Sequence, residues 1–137
     1  MLIFQRQYVT ITIINDLNAV HQKWRGFCTI QEFTEAIDIS FEALSRCRLS
    51  NIISDVSEQR VVAPAGQDYV RKKVNNFIAD NYPILVAFIL RKKSIVRKCV
   101  QRYIRKTETG FNFTVNDCFF SFEDAAEWLR SQKLPTE

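Results

Sequence analysis

The feature of this sequence that most constrains its fold is a single apolar run, residues 84–90, which follows Pro83. The run reads Ile-Leu-Val-Ala-Phe-Ile-Leu and shows no alternation of apolar and polar positions. A strand with one face in water alternates, whereas a strand buried on both faces reads as a continuous hydrophobic run. The segment therefore predicts a central strand of a sheet that is covered by other elements on at least one face and, we expect, on both.

The N-terminal stretch predicts a β-hairpin. Apolar β-branched residues alternate with threonines over residues 8–14, and residues 15–18, Asn-Asp-Leu-Asn, are typical of a turn. Residues 20–24 alternate again and predict the second strand. A weaker strand pattern over residues 3–7 precedes the hairpin. We expect the two hairpin strands to pair antiparallel.

After the hairpin, helical and strand patterns alternate. Thr29 and Glu32 form a capping box that predicts a helix ending near residues 46–48. Further helices are predicted from Pro64, over residues 94–106 and from Phe122, and further strands over residues 49–56, 84–90 and 111–116. The order β-β-α-β-α-β-α-β-α predicts one α/β domain over residues 1–137, with a mixed sheet and right-handed crossovers.

The composition and the cysteines limit the class of protein to which this chain can belong. A chain of 137 residues, 47% of them hydrophobic, is the size of one globular domain. It contains no apolar run long enough to span a membrane, and polar residues 5–7 interrupt the N-terminal segment, so we expect no signal peptide. The cysteines are scattered without a C-x-x-C pair. We therefore expect reduced thiols and a cytoplasmic location.

The basic character of the chain comes from one segment. Residues 91–106 contain eight of the 19 lysines and arginines and no acid, whereas the whole chain has a net charge of +4. The remaining residues carry a net charge of −4. Such a segment is either a solvated face that keeps the protein soluble or a site for an anionic partner.

Residue types that carry catalysis are scarce. His21 is the only histidine, three glycines leave no phosphate-binding loop, and no cluster of His and Cys has zinc spacing. The cysteines lie in or beside apolar stretches, which is typical of small core residues rather than reactive thiols. We therefore expect no enzymatic activity, no metal and no cofactor.

Four segments, taken in order, carry a family resemblance: residues 24–33 (Trp-Arg-Gly-Phe, then Gln-Glu-Phe), 53–57, 87–89 and 119–129. Their order and spacing resemble the SpoIIAA-like proteins of the STAS superfamily, named for the bacterial anti-sigma-factor antagonists. The resemblance covers roughly residues 8–132. It implies a SpoIIAA-like fold, which agrees with the element order above.

The resemblance also implies where a phosphoswitch would lie. The antagonists carry D-x-S at the end of a strand and D-S-S-G at the start of a helix, and the second serine of the latter is phosphorylated. Asp55 and Ser57 match D-x-S, but the second motif reads Ala63-Pro64-Ala65-Gly66. Ala65 stands at the acceptor position and has no hydroxyl, so we expect the scaffold without its switch.

Two functions of different class remain. The first is a non-enzymatic STAS-like module that binds a protein partner. The second is a protein that binds a small anionic or lipid ligand and uses the basic segment. A large enclosed apolar pocket would favour the second, and a solid core with an exposed apolar patch would favour the first.

The most specific candidate anion site comprises Arg91, Lys92, Lys93 and Ser94. These residues follow the carboxyl end of the predicted central strand and precede a helix, which is where open α/β sheets bind ligands. Nucleic-acid binding would depend on the basic segment alone, and we do not expect it. The open sheet has unpaired edges, and the uncharged strand over residues 8–14 suggests a homodimer as a further hypothesis.

Overall fold

The computed structural model describes residues 1–60, 63–91, 97, 100–101 and 114–132, with residues 114–116 described by their backbone alone. Six strands form one sheet: β1 (Leu2–Arg6), β2 (Val9–Ile14), β3 (Ala19–Gly26), β4 (Asn51–Gln59), β5 (Ile84–Ile89) and β6 (Thr114–Phe119). Three helices are bounded within these ranges: α1 (Ile30–Cys47), α2 (Pro64–Asp80) and α3 (Phe122–Ser131). None of the helices in the described ranges is long and apolar enough to cross a membrane.

The strands follow one another across the sheet in chain order. The pairs β1/β2 and β2/β3 are antiparallel, and β3, β4, β5 and β6 run parallel. This arrangement confirms an α/β protein with a mixed sheet and an antiparallel N-terminal hairpin. All six residues of β5 are buried, and the strand pairs with β4 on one side and β6 on the other. The apolar run is therefore an interior strand, as predicted.

Several boundaries differ from those predicted. The weak pattern at the N-terminus forms a full strand, β1, so the sheet has one strand more than the predicted order and β2 is interior rather than at the edge. Pairing with β3 extends β4 to Gln59, past the end of its apolar stretch at Val56. In the predicted third helix only Arg97, Val100 and Gln101 are described, and all three are helical.

The sheet has different partners on its two faces. A large core cluster joins α1 and α2 to one face, and Val100 belongs to it. A smaller cluster joins α3 to the opposite face through Ile53, Leu85, Ala87 and Ile89. The strands β3 to β6 all end on the side of the sheet where α1, α2 and α3 begin. We call this side the carboxyl end of the sheet.

The start of α1 shows why the sequence signal was strong. The Glu32 backbone N–H donates to the Thr29 hydroxyl at 3.1 Å, and the Thr29 N–H donates to the Glu32 carboxylate at 2.8 Å. This reciprocal cap satisfies two of the backbone donors that every helix start leaves open. Just inside it, Phe33 packs on the buried Trp24 ring with centroids 4.9 Å apart. The cap and this pair fix α1 over β3.

Candidate functional site

An apolar cavity of about 80 Å³ lies between the sheet and helices α1 and α2. Its floor comes from neighbouring strands: Gln22, Ser54 and Phe88 lie side by side in register on β3, β4 and β5. Fourteen side chains line it: Gln22, Trp24, Phe33, Ile37, Phe41, Ile52, Ser54, Val56, Gln67, Val70, Val74, Val86, Phe88 and Val100. The cavity thus belongs entirely to the face of the sheet that α1 and α2 cover.

The volume of this cavity exceeds what a single trapped water requires. One water needs roughly 10–15 Å³ and two to four polar partners. Eleven of the fourteen lining residues are apolar, so most of the wall offers no hydrogen bond. Apolar cavities of this kind stay dry or bind small apolar molecules. The space therefore suits a hydrocarbon chain or a ring rather than a polar ligand.

The polar part of the cavity wall is held by a buried network. The Trp24 indole N–H donates to the Gln22 side-chain oxygen at 3.2 Å, and the Gln22 amide donates to the Ser40 hydroxyl at 2.8 Å. That hydroxyl in turn donates to the Ala36 carbonyl at 2.9 Å. The network ties β3 to α1 and fixes Gln22 in one orientation. Ser54 and Gln67 supply the other polar atoms of the wall.

Two of the lining helices are linked outside the cavity by a polar contact. The Tyr69 hydroxyl of α2 donates to the Asp38 carboxylate of α1 at 2.5 Å, and the Lys73 ammonium lies 2.9 Å from the same carboxylate. This hydrogen bond raises the pKa of Tyr69 to about 12. Partial desolvation opposes ionisation of Asp38, but its hydrogen bonds from Tyr69 and Lys73 prevail and lower its pKa. Below this contact, Phe41 meets Phe77 edge-on at 5.7 Å.

The cavity lining reaches the carboxyl end of the sheet. Trp24, Val56 and Phe88 lie near the ends of β3, β4 and β5. Phe33 and Gln67 come from the start of α1 and of α2. Crevices outside the carboxyl ends of parallel strands are the usual ligand sites of open α/β sheets. The apolar cavity is therefore placed where a ligand of this fold class is expected.

Exposed aromatic and cationic side chains gather at the same end. Phe27 and Ile30 follow β3 and are 66% and 42% exposed, and Phe120 follows β6 and is 47% exposed. Arg60 follows β4 and Arg91 follows β5, both exposed. The Arg60 guanidinium lies over the Phe27 ring at 5.6 Å, and the Arg97 guanidinium lies over the Phe120 ring at the same distance. These six residues, Phe27, Ile30, Arg60, Arg91, Arg97 and Phe120, are called the carboxyl-end surface below.

The two halves of the degenerate phosphoswitch region lie on different elements, β4 and α2. Asp55 is buried in the middle of β4, where it accepts from the Ser57 N–H at 3.0 Å and from the Ser57 hydroxyl at 2.6 Å, so the strand continues past the D-x-S motif instead of ending there. Ala65 and Gly66 lie in the first turn of α2, the former exposed and the latter buried. Ala63 caps that helix without a side-chain hydrogen bond. The Ser57 hydroxyl is thus engaged with Asp55.

Only one member of the predicted anion site is described. Arg91 lies two residues after the end of β5 and is exposed, whereas Lys92, Lys93 and Ser94 lie outside the described residues. The structure adds Arg60 and Arg97 at the same end, because the parallel strands finish there together. No sequence motif joins these arginines. One sequence feature distinguishes Phe27 from the core phenylalanines: it follows Gly26 and lies outside any periodic apolar segment.

His21 lies on the α3 side of β3 and does not form a catalytic group with the residues described. Its ring packs against Phe122 with centroids 5.2 Å apart. Burial lowers its pKa, and the Asp55 carboxylate offsets part of that effect. Its Nε2 atom is buried and has no hydrogen-bond partner within the described part of the chain. His21 therefore serves the packing of α3.

Across the described ranges, no group of three His, Cys, Asp or Glu side chains is arranged to hold a metal ion. Comparison with protein-family models, with curated proteins and with solved structures gives no match for this chain.

Proposed function

We propose that this chain is a non-enzymatic binding protein whose cavity takes up a small apolar ligand or the chain of an acyl group. The observation that carries this proposal is the cavity of about 80 Å³ between the sheet and helices α1 and α2. Its walls are mainly aliphatic and aromatic, with Gln22, Ser54 and Gln67 as the polar positions. Apolar pockets with few, fixed polar groups are typical of small-molecule sites.

Binding would draw on apolar burial and on a preformed wall. A ligand in the cavity fills space that the lining side chains leave without contacts, so it gains dispersion energy and leaves water. The Trp24–Gln22–Ser40 network holds this part of the wall in place before the ligand arrives, which lowers the entropic cost of binding. Ser54, a further polar position of the wall, would orient one polar end of the ligand.

Native mass spectrometry of the purified protein tests for retained ligand, and thermal unfolding with straight-chain fatty acids of increasing length tests for added ligand. A ligand that binds only the folded state raises Tm. We expect the shift to grow with chain length until the cavity is full. No retained mass, together with no Tm shift for any chain length, would contradict the proposal.

Val74→Phe locates the binding to the cavity, because Val74 is buried in its wall. The larger side chain occupies the space, so the variant should unfold cooperatively and lose the ligand-induced Tm shift. The matched control is Ile89→Val, on the α3 face of the sheet and outside the cavity wall, which should keep the shift. An undiminished shift in Val74→Phe would place the ligand elsewhere.

A second candidate function, a STAS-like protein-interaction module without a phosphoswitch, is favoured by the position of Ala65. It is exposed in the first turn of α2, the position that the family resemblance gives to the phosphoserine. Incubation with a serine kinase that acts on anti-sigma-factor antagonists, followed by peptide mapping, should find no phosphate over residues 55–66. Stoichiometric phosphate at Ser57, the one hydroxyl side chain in that range, would contradict this candidate.

A further inference from the structure

The exposed apolar side chains of this protein are unevenly placed. Five large hydrophobic residues are exposed within the described ranges, and two of them, Met1 and Leu2, belong to the N-terminus. The other three lie at the carboxyl end of the sheet, Phe27 and Phe120 on loops and Ile30 at the first position of α1. The exposed part of a large apolar side chain gains nothing from folding. Three such residues at one end of the sheet point to a surface that is covered in use.

The two exposed rings each carry an arginine. Arg60 lies over Phe27 and Arg97 over Phe120, both at 5.6 Å from the ring centroid. The Arg60 loop is tied to the Phe27 loop because the Arg60 N–H donates to the Gly26 carbonyl at 3.0 Å. Each pair therefore combines an apolar ring with a cation at its rim. This combination suits an interface whose interior is apolar and whose surface is anionic.

The charge around these rings favours an anionic partner. The basic segment over residues 91–106, with eight cations and no acid, begins at this end with Arg91. Of the acids near this end, Glu58 forms an ion pair with Lys23 at 3.3 Å, whereas Glu32 accepts a neutral backbone N–H in the α1 cap and keeps its charge. Glu123 and Asp124 follow Phe120 in the first turn of α3, where negative charge offsets the helix dipole.

The spacing of the rings argues for a bilayer rather than a folded protein. Two strands, β4 and β5, separate β3 from β6, so Phe27 and Phe120 follow strands about 14 Å apart at roughly 4.8 Å per strand. Among the described residues, rings at this spacing are too far apart to form one contiguous apolar patch for a protein partner to cover. A membrane interface accepts separate rings and places arginines at the level of the lipid headgroups.

We propose that the carboxyl-end surface docks on the surface of an anionic phospholipid bilayer, with Phe27, Ile30 and Phe120 inserted at the headgroup level and Arg60, Arg91 and Arg97 against the lipid phosphates. This docking is independent of the proposed cavity ligand, because it needs only side chains outside the cavity wall. It also places the end of the cavity that Trp24, Val56 and Phe88 line toward the bilayer.

Vesicle co-sedimentation tests the proposal. Vesicles of phosphatidylcholine mixed with phosphatidylglycerol should bind the wild-type chain, whereas phosphatidylcholine alone should bind it much more weakly. Added sodium chloride should weaken the binding, because salt screens charges at the membrane surface. No binding to the anionic vesicles at low salt, or binding to duplex nucleic acid in preference to vesicles, would overturn the proposal.

Variants of the exposed rings assign the binding to this surface. Phe27→Ser and Phe120→Ser should each weaken vesicle binding by about tenfold, since each removes a ring that inserts at the interface. The matched control is Leu2→Ser, which removes an exposed apolar side chain from β1 and should leave binding unchanged. Equal losses for Leu2→Ser and the phenylalanine variants would contradict the assignment.

If either ring variant fails to unfold cooperatively, a charge variant tests whether the carboxyl-end surface binds the vesicles. The double variant Arg60→Gln with Arg91→Gln keeps both rings and should weaken binding to anionic vesicles by about tenfold or more, since each basic side chain near the surface contributes. Arg46→Gln near the end of α1 is its control. The cavity variant Val74→Phe should bind vesicles like the wild type, which separates a failed membrane site from a failed cavity.

Discussion

The two faces of the sheet are packed in different ways. On the α3 face, alanines of the sheet and of the helix meet, since Ala19, Ala87, Ala125 and Ala126 are all buried there. On the other face, large side chains such as Trp24, Phe33 and Phe41 pack between the sheet and α1 and α2, yet a cavity of about 80 Å³ remains. None of the residues that line this cavity belongs to the α3 cluster. Small residues let a helix approach a sheet closely, whereas large ones can hold it away.

This contrast indicates that the two faces of the sheet have different roles. The α3 face brings buried alanines of the sheet and the helix together, and we expect it to pack closely. The α1 and α2 face retains space, while the Asp38–Tyr69 hydrogen bond and the Phe41–Phe77 contact link the two helices that border it. Substitutions of the same kind on the two faces should therefore have unequal effects.

The largest effect is expected from truncation on the α3 face. Leu129→Ala should lower the free energy of unfolding by about 2–5 kcal/mol, because Leu129 is buried and its loss leaves a cavity in a dense layer. Val70→Ala, in the half-buried wall of the existing cavity, should cost less than about 1 kcal/mol. Guanidinium unfolding measures both. Equal losses would show that the two faces are packed alike.

Enlarging two adjacent residues of β5 gives the closest comparison. Ala87→Leu points into the α3 layer and should cost about 1–3 kcal/mol through overpacking. Val86→Leu points into the cavity, so the added methylene finds room and the change should stay within about 1 kcal/mol. Chemical denaturation of the pair tests this. A greater loss for Val86→Leu would mean that the cavity closes in solution.

Substitutions in the polar network of the cavity wall should cause the next largest loss of stability. Gln22→Leu leaves the Trp24 N–H without its acceptor and should cost about 1–3 kcal/mol. Adding Trp24→Phe removes the orphaned donor, so the double variant should lose less than the sum of the two single losses. Gln5→Leu, at an exposed position of β1, is the control. Strict additivity in this double-mutant cycle would show that the bond contributes no coupling.

On the α3 face, stability should depend on pH through His21. Its pKa is lowered in the folded state by burial, so the unfolded chain binds the proton more readily. The stability that depends on neutral His21 is complete above the pKa of histidine in the unfolded chain, about 6.5. It is lost as the pH falls through the lower pKa of His21 in the folded state. Urea unfolding between pH 7 and pH 5 measures it. His21→Gln should remove this part of the pH dependence, and an unchanged profile would contradict the assignment.

The smallest effect is expected at the Asp38–Tyr69 contact between α1 and α2. Because Asp38 is largely exposed, Asp38→Asn should cost less than about 1 kcal/mol. Its lowered pKa means that its contribution is present above the unfolded pKa of about 3.9 and is lost at lower pH. Ultraviolet titration should show one tyrosine with a pKa near 12 in the wild type, and this pKa should fall in the variant. A tyrosine pKa that is the same in the wild type and in the variant would contradict the contact between Tyr69 and Asp38.

Local patterns predicted much of the architecture. The apolar run of β5, the alternation in β2 and the capping box of α1 each act over a few residues, so they can be recognised without tertiary information. The strand β1 was the weakest of these signals, because its polar residues Gln5 and Arg6 break the apolar stretch. Pairing with β2 stabilises it, and that pairing is a tertiary contact.

The candidate sites depended on distances that no local pattern contains. Basic charge over residues 91–106 is visible in the sequence, but Arg91 and Arg97 lie at the same end of the sheet as Arg60, Phe27 and Phe120 because four parallel strands end there.

By itself, then, the sequence determined the type and order of most strands and helices in the described ranges and many of the residues that face the core, because backbone preference and apolar periodicity act locally. Only the tertiary structure decided where that core is dense and where it leaves space. A cavity is the volume that several separate elements fail to fill together, and here it depends on how far α1 and α2 stand from β3, β4 and β5.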